Sequence, residues 1–282
     1  MRRTSKVRIL AAPAVATLLV LGGCGSSDSG SSGDGGSSSA GDSSSASADA
    51  GSDDSAGSSG EELTKADFGD RIYAAFQDAG TLKFTITTSG AGSSTGTGEA
   101  DLSGDQPASS VTQEVQGAGK VQAIAVDGVF YLKSAQLSGE KWLKVDPNAK
   151  DGLGALIGSL GGNSDPSKLL QVMNQASEVT AEGQEEVEGT ETTKYHVVLP
   201  RKAFAATLGD NPQVVQMLPA QIEFDMWVDG DDQLRKVTYE LAVGGQESGT
   251  TVTYRDFGDP VSIQAPPASE TTTQAPGLGG TP

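Results

Sequence analysis

One cysteine, one histidine and two short acidic clusters are the residues of this sequence whose types and spacing could do chemistry. Cys24 closes the run Leu21-Gly22-Gly23-Cys24, an aliphatic residue at minus three and two small residues before a thiol. That spacing suits a peptidase that must close around extended backbone, and it resembles a bacterial lipobox, whose cysteine is thioether-linked to a diacylglycerol. His196 lies in Lys194-Tyr-His-Val-Val-Leu199, opposite in alternation to Tyr195, Val197 and Leu199, and reads as a solvent-facing strand residue. Asp229-Gly-Asp-Asp232 offers oxygen donors of the kind calcium takes, but the distal Glu of an EF-hand loop is absent and acidic hairpin turns are common. Glu182, Glu185, Glu186, Glu188 and Glu191 read as a solvated strand edge. No nucleophile elbow, zinc-protease helix or phosphate loop is present. The expectation is therefore a non-enzyme with no catalytic residue, metal or cofactor.

The thiol has the right company. Arg2, Arg3, Lys6 and Arg8 precede an apolar run from Ile9 to Leu21, too short for an ordinary membrane span and suited to a signal-peptide core. Residues 1–23 are read as a cleaved signal peptide, with Cys24 lipidated and carrying acyl chains such as palmitate. Each buried CH₂ contributes about 0.8 kcal/mol, so two or three chains hold a protein firmly at a membrane. The expected address is the extracytoplasmic face of the cell membrane, through the lipid on Cys24. The other reading is an ordinary cleaved signal followed by a chance cysteine.

The 37 acidic and 19 basic residues give a formal charge of -18, with no basic stripe for a phosphate backbone, which argues against nucleic acid as a partner. A single Cys also excludes a disulfide within the chain. Residues 25–60 contain only Gly, Ser, Asp and Ala; they have nothing to bury and are expected to stay disordered. As a flexible coil this tether would span roughly 33 Å. Residues 265–282, rich in Pro, Thr and Gly, read as a second disordered tail. One domain, 61–264, lies between.

That domain opens with a helix. Thr64 is its N-cap with Asp67 three residues on, Leu63 and Phe68 form a hydrophobic staple, and Phe68, Ile72, Ala75, Phe76 and Ala79 share a face before Gly80. Leu82, Phe84 and Ile86 then alternate with polar residues in a half-buried strand. The alternation recurs over roughly 95–103, 108–116, 119–127, 129–134, 141–146, 177–187, 192–199, 221–229, 233–243 and 248–257, with hairpin turns at Asp127-Gly128 and Asp229-Gly230. In the 221–229 segment Ile222, Phe224, Met226 and Val228 face one way, and Glu223, Asp225 and Trp227 the other.

Further helical spacing appears between strands. Leu153, Leu156, Ile157 and Leu160 fall at i, i+3, i+4 and i+7 among glycines, Asp165-Pro166 opens a helix with Val172 and Met173, and Asn211-Pro212 opens another. A short helix carrying Phe204 follows Pro200. The expected fold is α+β: a large curved antiparallel sheet, a half-barrel, with helices packed across its concave face. The glycine-rich Leu153–Leu160 stretch either gates a lipid cavity or closes the core, and both readings stand.

Three strand motifs, Gly128-Val-Phe-Tyr-Leu-Lys133, Lys141-Trp-Leu-Lys-Val-Asp146 and Met226-Trp-Val-Asp-Gly-Asp-Asp-Gln-Leu-Arg-Lys-Val237, follow the lipobox and tether. Together they resemble the LppX/LprG-type bacterial lipoproteins. The resemblance spans roughly 62–264 and implies a LolA/LolB-like fold that binds acylated lipid or lipoglycan in a hydrophobic cavity. It further implies carriage of that lipid through the cell envelope, with a transport partner there. On this reading the acyl chains are lined by Phe84, Ile86, Val121, Ala123, Leu153, Leu156, Ile157, Leu160, Met173, Ile222, Phe224 and Met226. The alternative is a non-catalytic sensor or protein-interaction module on the same fold, with a filled core and a surface patch around Trp227.

Overall fold

The computed structural model describes residues 62–90, 93–104, 106–146, 172–205, 215–216, 218–243 and 246–274. The leader, Cys24, the tether, Leu153, Leu156, Ile157, Leu160 and the helix starts at Asp165 and Asn211 lie outside the described residues.

Helix α1 (Phe68–Ala79) forms because Phe68, Ile72 and Phe76 recur every four residues and both ends are marked. The N-cap is Asp67 rather than the expected Thr64, because the chain from Thr64 makes a turn before the helix; Asp67 reaches back and accepts hydrogen bonds from the Thr64 amide at 2.6 Å and the Thr64 hydroxyl at 2.8 Å. The Thr64 hydroxyl bond is the main reason the Asp67 carboxyl lies below its ordinary pKa. Gly80, at φ +69°, ends the helix with its N–H donating to the Phe76 carbonyl at 3.2 Å. Both staple residues, Leu63 and Phe68, are buried.

The strands follow as β1 (Thr81–Gly90), β2 (Ser94–Asp101), β3 (Ala108–Val115), β4 (Gly119–Val126), β5 (Val129–Ser134) and β6 (Trp142–Val145). A second run contains β7 (Glu178–Val187), β8 (Thr190–Pro200), the short helix α2 (Arg201–Ala205), β9 (Gln221–Asp229), β10 (Leu234–Val243) and β11 (Gln246–Arg255). With β12 (Thr271–Thr272) they make one curved, unclosed sheet ordered β12-β6-β5-β4-β3-β2-β1-β11-β10-β9-β8-β7. Each run is an antiparallel meander, and β1 pairs with β11 to join the two. The expected α+β half-barrel is the observed architecture.

Alternation assigns one face to the core. Leu82, Phe84 and Ile86 of β1 join Val252 and Tyr254 of β11, Val237 of β10, Met226 of β9 and Tyr195 of β8 in a single buried cluster. Helix α1 covers it: Phe68 meets Tyr195 edge-on with centroids 5.2 Å apart, and Phe76 meets Tyr254 at 5.6 Å. Burying each large side chain contributes about 1.5–3 kcal/mol. The Tyr195 hydroxyl accepts the Leu63 amide at 3.0 Å, fixing the chain where it turns into the helix.

Two local expectations need correction. Asp127 and Gly128 do form a tight left-handed turn, at φ 54° and 69°. The Asp229-Gly230 hairpin instead uses a longer loop whose left-handed residue is Asp232, at φ 60°. The Asp229 carboxylate accepts the amides of Asp231 and Gln233 at 3.0 and 2.9 Å, which stabilises the wider loop. The tail read as disordered from Ala265 also begins too early. Residues 268–270 form a 3₁₀ turn, and Thr271–Thr272 pairs in parallel with Trp142–Leu143. Prolines at 260, 266 and 267 hold the intervening segment extended, and the free edge of β6 supplies backbone partners.

Gly98 shows how close this packing is. The Phe84 ring lies over it, so a methyl there would overlap the ring. Gly98→Ala should lower the urea midpoint by an amount equivalent to about 1–3 kcal/mol. Gly104→Ala, which meets nothing closer than 3.8 Å, should leave it unchanged. Equal midpoints for the two variants would refute this packing.

Candidate functional site

Three adjacent cross-strand rows lie on the concave face. The first runs Leu143, Leu132, Ala123, Val111, Gly98, Phe84 from β6 to β1. The next runs Val121, Gln113, Gly96, Ile86 into Val252, Val237 and Met226. The third runs Ser94, Thr88, Thr250, Tyr239, Phe224. Phe84, Ile86, Val121, Ala123, Phe224 and Met226, all singled out from the sequence, therefore share one face, and Ile222 joins them two residues from Phe224.

Packing divides that face. Phe84, Ile86, Ile222, Phe224 and Met226 sit in the filled cluster, with Met173 against it and Phe204 of α2 tilted over Phe224 at 6.0 Å. Val121 and Ala123 lie in the other half, where they, Leu132 and Phe130 are only half-buried. The sequence-chosen residues are thus brought onto one surface but not into one environment. Leu153, Leu156, Ile157, Leu160 and Cys24 lie outside the described residues.

Between the halves runs a band the sequence reading missed. Thr88, Ser94, Gln113 and Thr250 are all buried on the concave side. Tyr239 hydrogen-bonds Thr250, although burial still pushes its phenol above the usual pKa. Burial, with a smaller contribution from neighbouring Tyr239, also pushes the Tyr254 phenol up. The signal was available: Thr88 is the next inward position after Ile86, and Gln113 the next after Val111.

The convex face is polar. His196 Nδ1 lies 3.1 Å from Asp225, and Lys194 bridges Asp225 at 3.1 Å and Glu182 at 2.7 Å. Trp227 faces outward as alternation requires, yet it is only 5 % exposed. Lys236 and Lys194 cover its ring at 4.1 and 5.5 Å, and its indole N–H donates to Glu185 at 2.7 Å. The patch expected around Trp227 is therefore roofed by its own strand neighbours. Asp229 and Asp232, weighed as calcium donors, are engaged by Arg235 at 3.0 Å and Arg71 at 2.8 Å. A shallow polar groove of about 270 Å³ also opens on this face, lined by Lys83, Glu99 and Arg255 among others.

No protein-family model and no curated protein matches the chain. Among solved structures it is similar to LprF from Mycobacterium bovis, at 12% identity over 72% of this chain and 96% of that one, with a TM-score of 0.49. It is also similar to the lipoprotein LppX from Mycobacterium tuberculosis, at 15% identity over 70% and 98%, with a TM-score of 0.48. MucB, solved in complex with MucA, aligns over 72% of this chain and 59% of its own, at 15% identity and a TM-score of 0.38. No ligand follows from likeness this distant.

The convex ion cluster gives a pH signature. Burial opposes ionisation of Asp225, but His196 and Lys194 together outweigh it and hold the carboxyl below its usual pKa. Below the ordinary aspartate value of about 3.9, the unfolded chain takes up this proton first, so stability falls as pH drops through the folded value. Asp225→Asn should therefore lose less of its urea midpoint between pH 7 and pH 3 than the parent protein. An identical acid dependence would show that the cluster contributes nothing.

Proposed function

We propose that the domain binds an acylated lipid or lipoglycan on the concave face of its sheet and carries it through the cell envelope, held at the membrane by the lipid on Cys24. The observation that supports this is the apolar row Leu132, Ala123, Val111, which continues a sealed core into a half-sheet where its members are only half-buried. Water-exposed apolar surface on the inside of a curve favours an elongated hydrocarbon. A sixteen-carbon chain there would gain on the order of 10 kcal/mol, at about 0.8 kcal/mol per CH₂, before ordering costs. The lipobox motif supports the same reading, because it would keep the domain within reach of lipid at its source.

Two experiments test it. The full chain with Cys24→Ser, extracted with organic solvent and weighed by native mass spectrometry, should release a co-purifying acyl lipid and bind a fluorescent fatty-acyl probe. A folded protein that does neither removes the carrier reading. Ala123→Trp should fill the half-open face and displace about two CH₂ groups, weakening the probe roughly tenfold while leaving thermal stability near that of the parent. Full probe affinity in that variant would place the chain elsewhere.

A further inference from the structure

Among the described residues, two polar atoms in the concave band have no hydrogen-bond partner: Thr88 Oγ1 and Gln113 Nε2. Their residues are only 9 % and 7 % exposed, so bulk water does not compensate them. A buried amide or hydroxyl left unpaired is unfavourable by about 1–3 kcal/mol. Sheets rarely keep such groups without a reason. Their placement is also particular. Both stand on the apolar face, in adjacent rows, where the filled core under β1 gives way to the half-buried side chains of β3 and β4. The Gln113 side chain lies across Gly96, whose missing Cβ makes room for it, and so leans from β3 towards β1, the strand of Thr88. Ile86 is the β1 residue in line with Gln113 and Gly96, and Thr88 stands one row further along, so an acceptor that meets both donors lies between the two rows.

Both groups can donate, Gln113 through its amide N–H and Thr88 through a hydroxyl that can also accept, and one acceptor would serve both. We infer that Thr88 and Gln113 form a polar station for the ester carbonyl of a bound acyl lipid, selecting ester-linked chains over plain or ether-linked ones. This inference rests on the carrier reading above and specifies its ligand class. An ester carbonyl is neutral and has two lone pairs, enough for both donors. A free fatty-acid carboxylate would also accept, but it would bring a charge into a band whose buried members, Thr88, Ser94, Gln113 and Thr250, include no cation. Ser94 and Thr250 stand beside Thr88 in strand register, and Tyr239 is tied to Thr250, so the station has a polar surround on one side and acyl-compatible Val111 and Val121 on the other.

The test uses the full chain with Cys24→Ser and three competitors against one fluorescent acyl probe: dipalmitoylglycerol, its diether counterpart dihexadecylglycerol, and palmitate. The parent should prefer the diester over the diether by about two- to tenfold for each neutral hydrogen bond made. Gln113→Leu keeps the Cγ over Gly96 and removes only the amide; Thr88→Val is close to isosteric. Each variant should reduce that preference towards unity while leaving diether affinity unchanged. Because each removes an unpartnered polar group, the ligand-free thermal midpoint should hold or rise. Equal binding of diester and diether by the parent, a preference that survives both substitutions, or palmitate as the best competitor would overturn the station while leaving the carrier reading intact. A matching fall in diether affinity or in thermal midpoint would make the pair structural and also overturn it. Failure of every lipid to compete would remove the carrier reading itself, and the station with it.

Discussion

Eight residue pairs between β1 and β11, from Lys83–Arg255 to Gly90–Ser248, make the two meanders one sheet. Every other antiparallel contact joins neighbours in sequence, and those form at little loop-closure cost. The β1–β11 seam joins the opposite ends of the domain, so its chain entropy must be offset by what closes over it. That closure is the cluster of Phe84, Ile86, Val252 and Tyr254, which lies directly on the seam and is roofed by α1. The helix precedes β1 and its Phe76 touches Tyr254 and Phe257, so one short element clamps both sides. Without the seam neither meander has a face broad enough to bury its apolar row.

The seam also decides which face can be functional. On its convex side Thr97, Thr85 and Thr253 stand in one cross-strand row, and Thr95, Thr87 and Thr251 in the next. Threonine fits a pleated surface while keeping a hydroxyl in water. Further along, Trp227 is covered by lysines and a glutamate rather than left open. Apolar surface that is neither sealed nor shielded by charge occurs on the concave side of β3 to β5. Asymmetry of packing, more than composition, marks that region out.

Strand positions, the Asp127-Gly128 turn and the common face of Phe84, Ile86, Val121, Ala123, Phe224 and Met226 were legible from turn residues and alternation. Period-two patterning is strong where one side is wet. Three things were not legible. Alternation says which way Val121 points but not whether anything packs upon it, because that depends on elements distant in sequence. The width of the Asp229 turn is decided by its carboxylate bonding the amides of Asp231 and Gln233, a local competition that the Asp-Gly pair does not reveal. The β12 pairing depends on an unfilled edge at β6, which no property of Thr271 or Thr272 announces.

The concave polar band is instructive for the same reason. A sequence tuned for stability alone would place Leu or Val at Gln113 and Val at Thr88, since each unpaired donor weakens the folded state by a sizeable part of a typical domain's net stability, about 5–15 kcal/mol. A hydrophobic ligand needs no such groups to bind, because its methylenes already supply more affinity than the donors could. What methylenes cannot supply is discrimination, since one hydrocarbon tail resembles another and an added carbon changes affinity by only about 0.8 kcal/mol. Two donors at a fixed height along the face respond instead to where on the ligand an acceptor falls. On the proposed reading, affinity and selectivity would arise from different residues: Ala123, Val121 and Val111 for the chain, Thr88 and Gln113 for its attachment. A carrier of the proposed kind also has to let go, and a half-open face would limit how many methylenes are fully buried at once, keeping release within reach while the polar pair would preserve the choice of ligand.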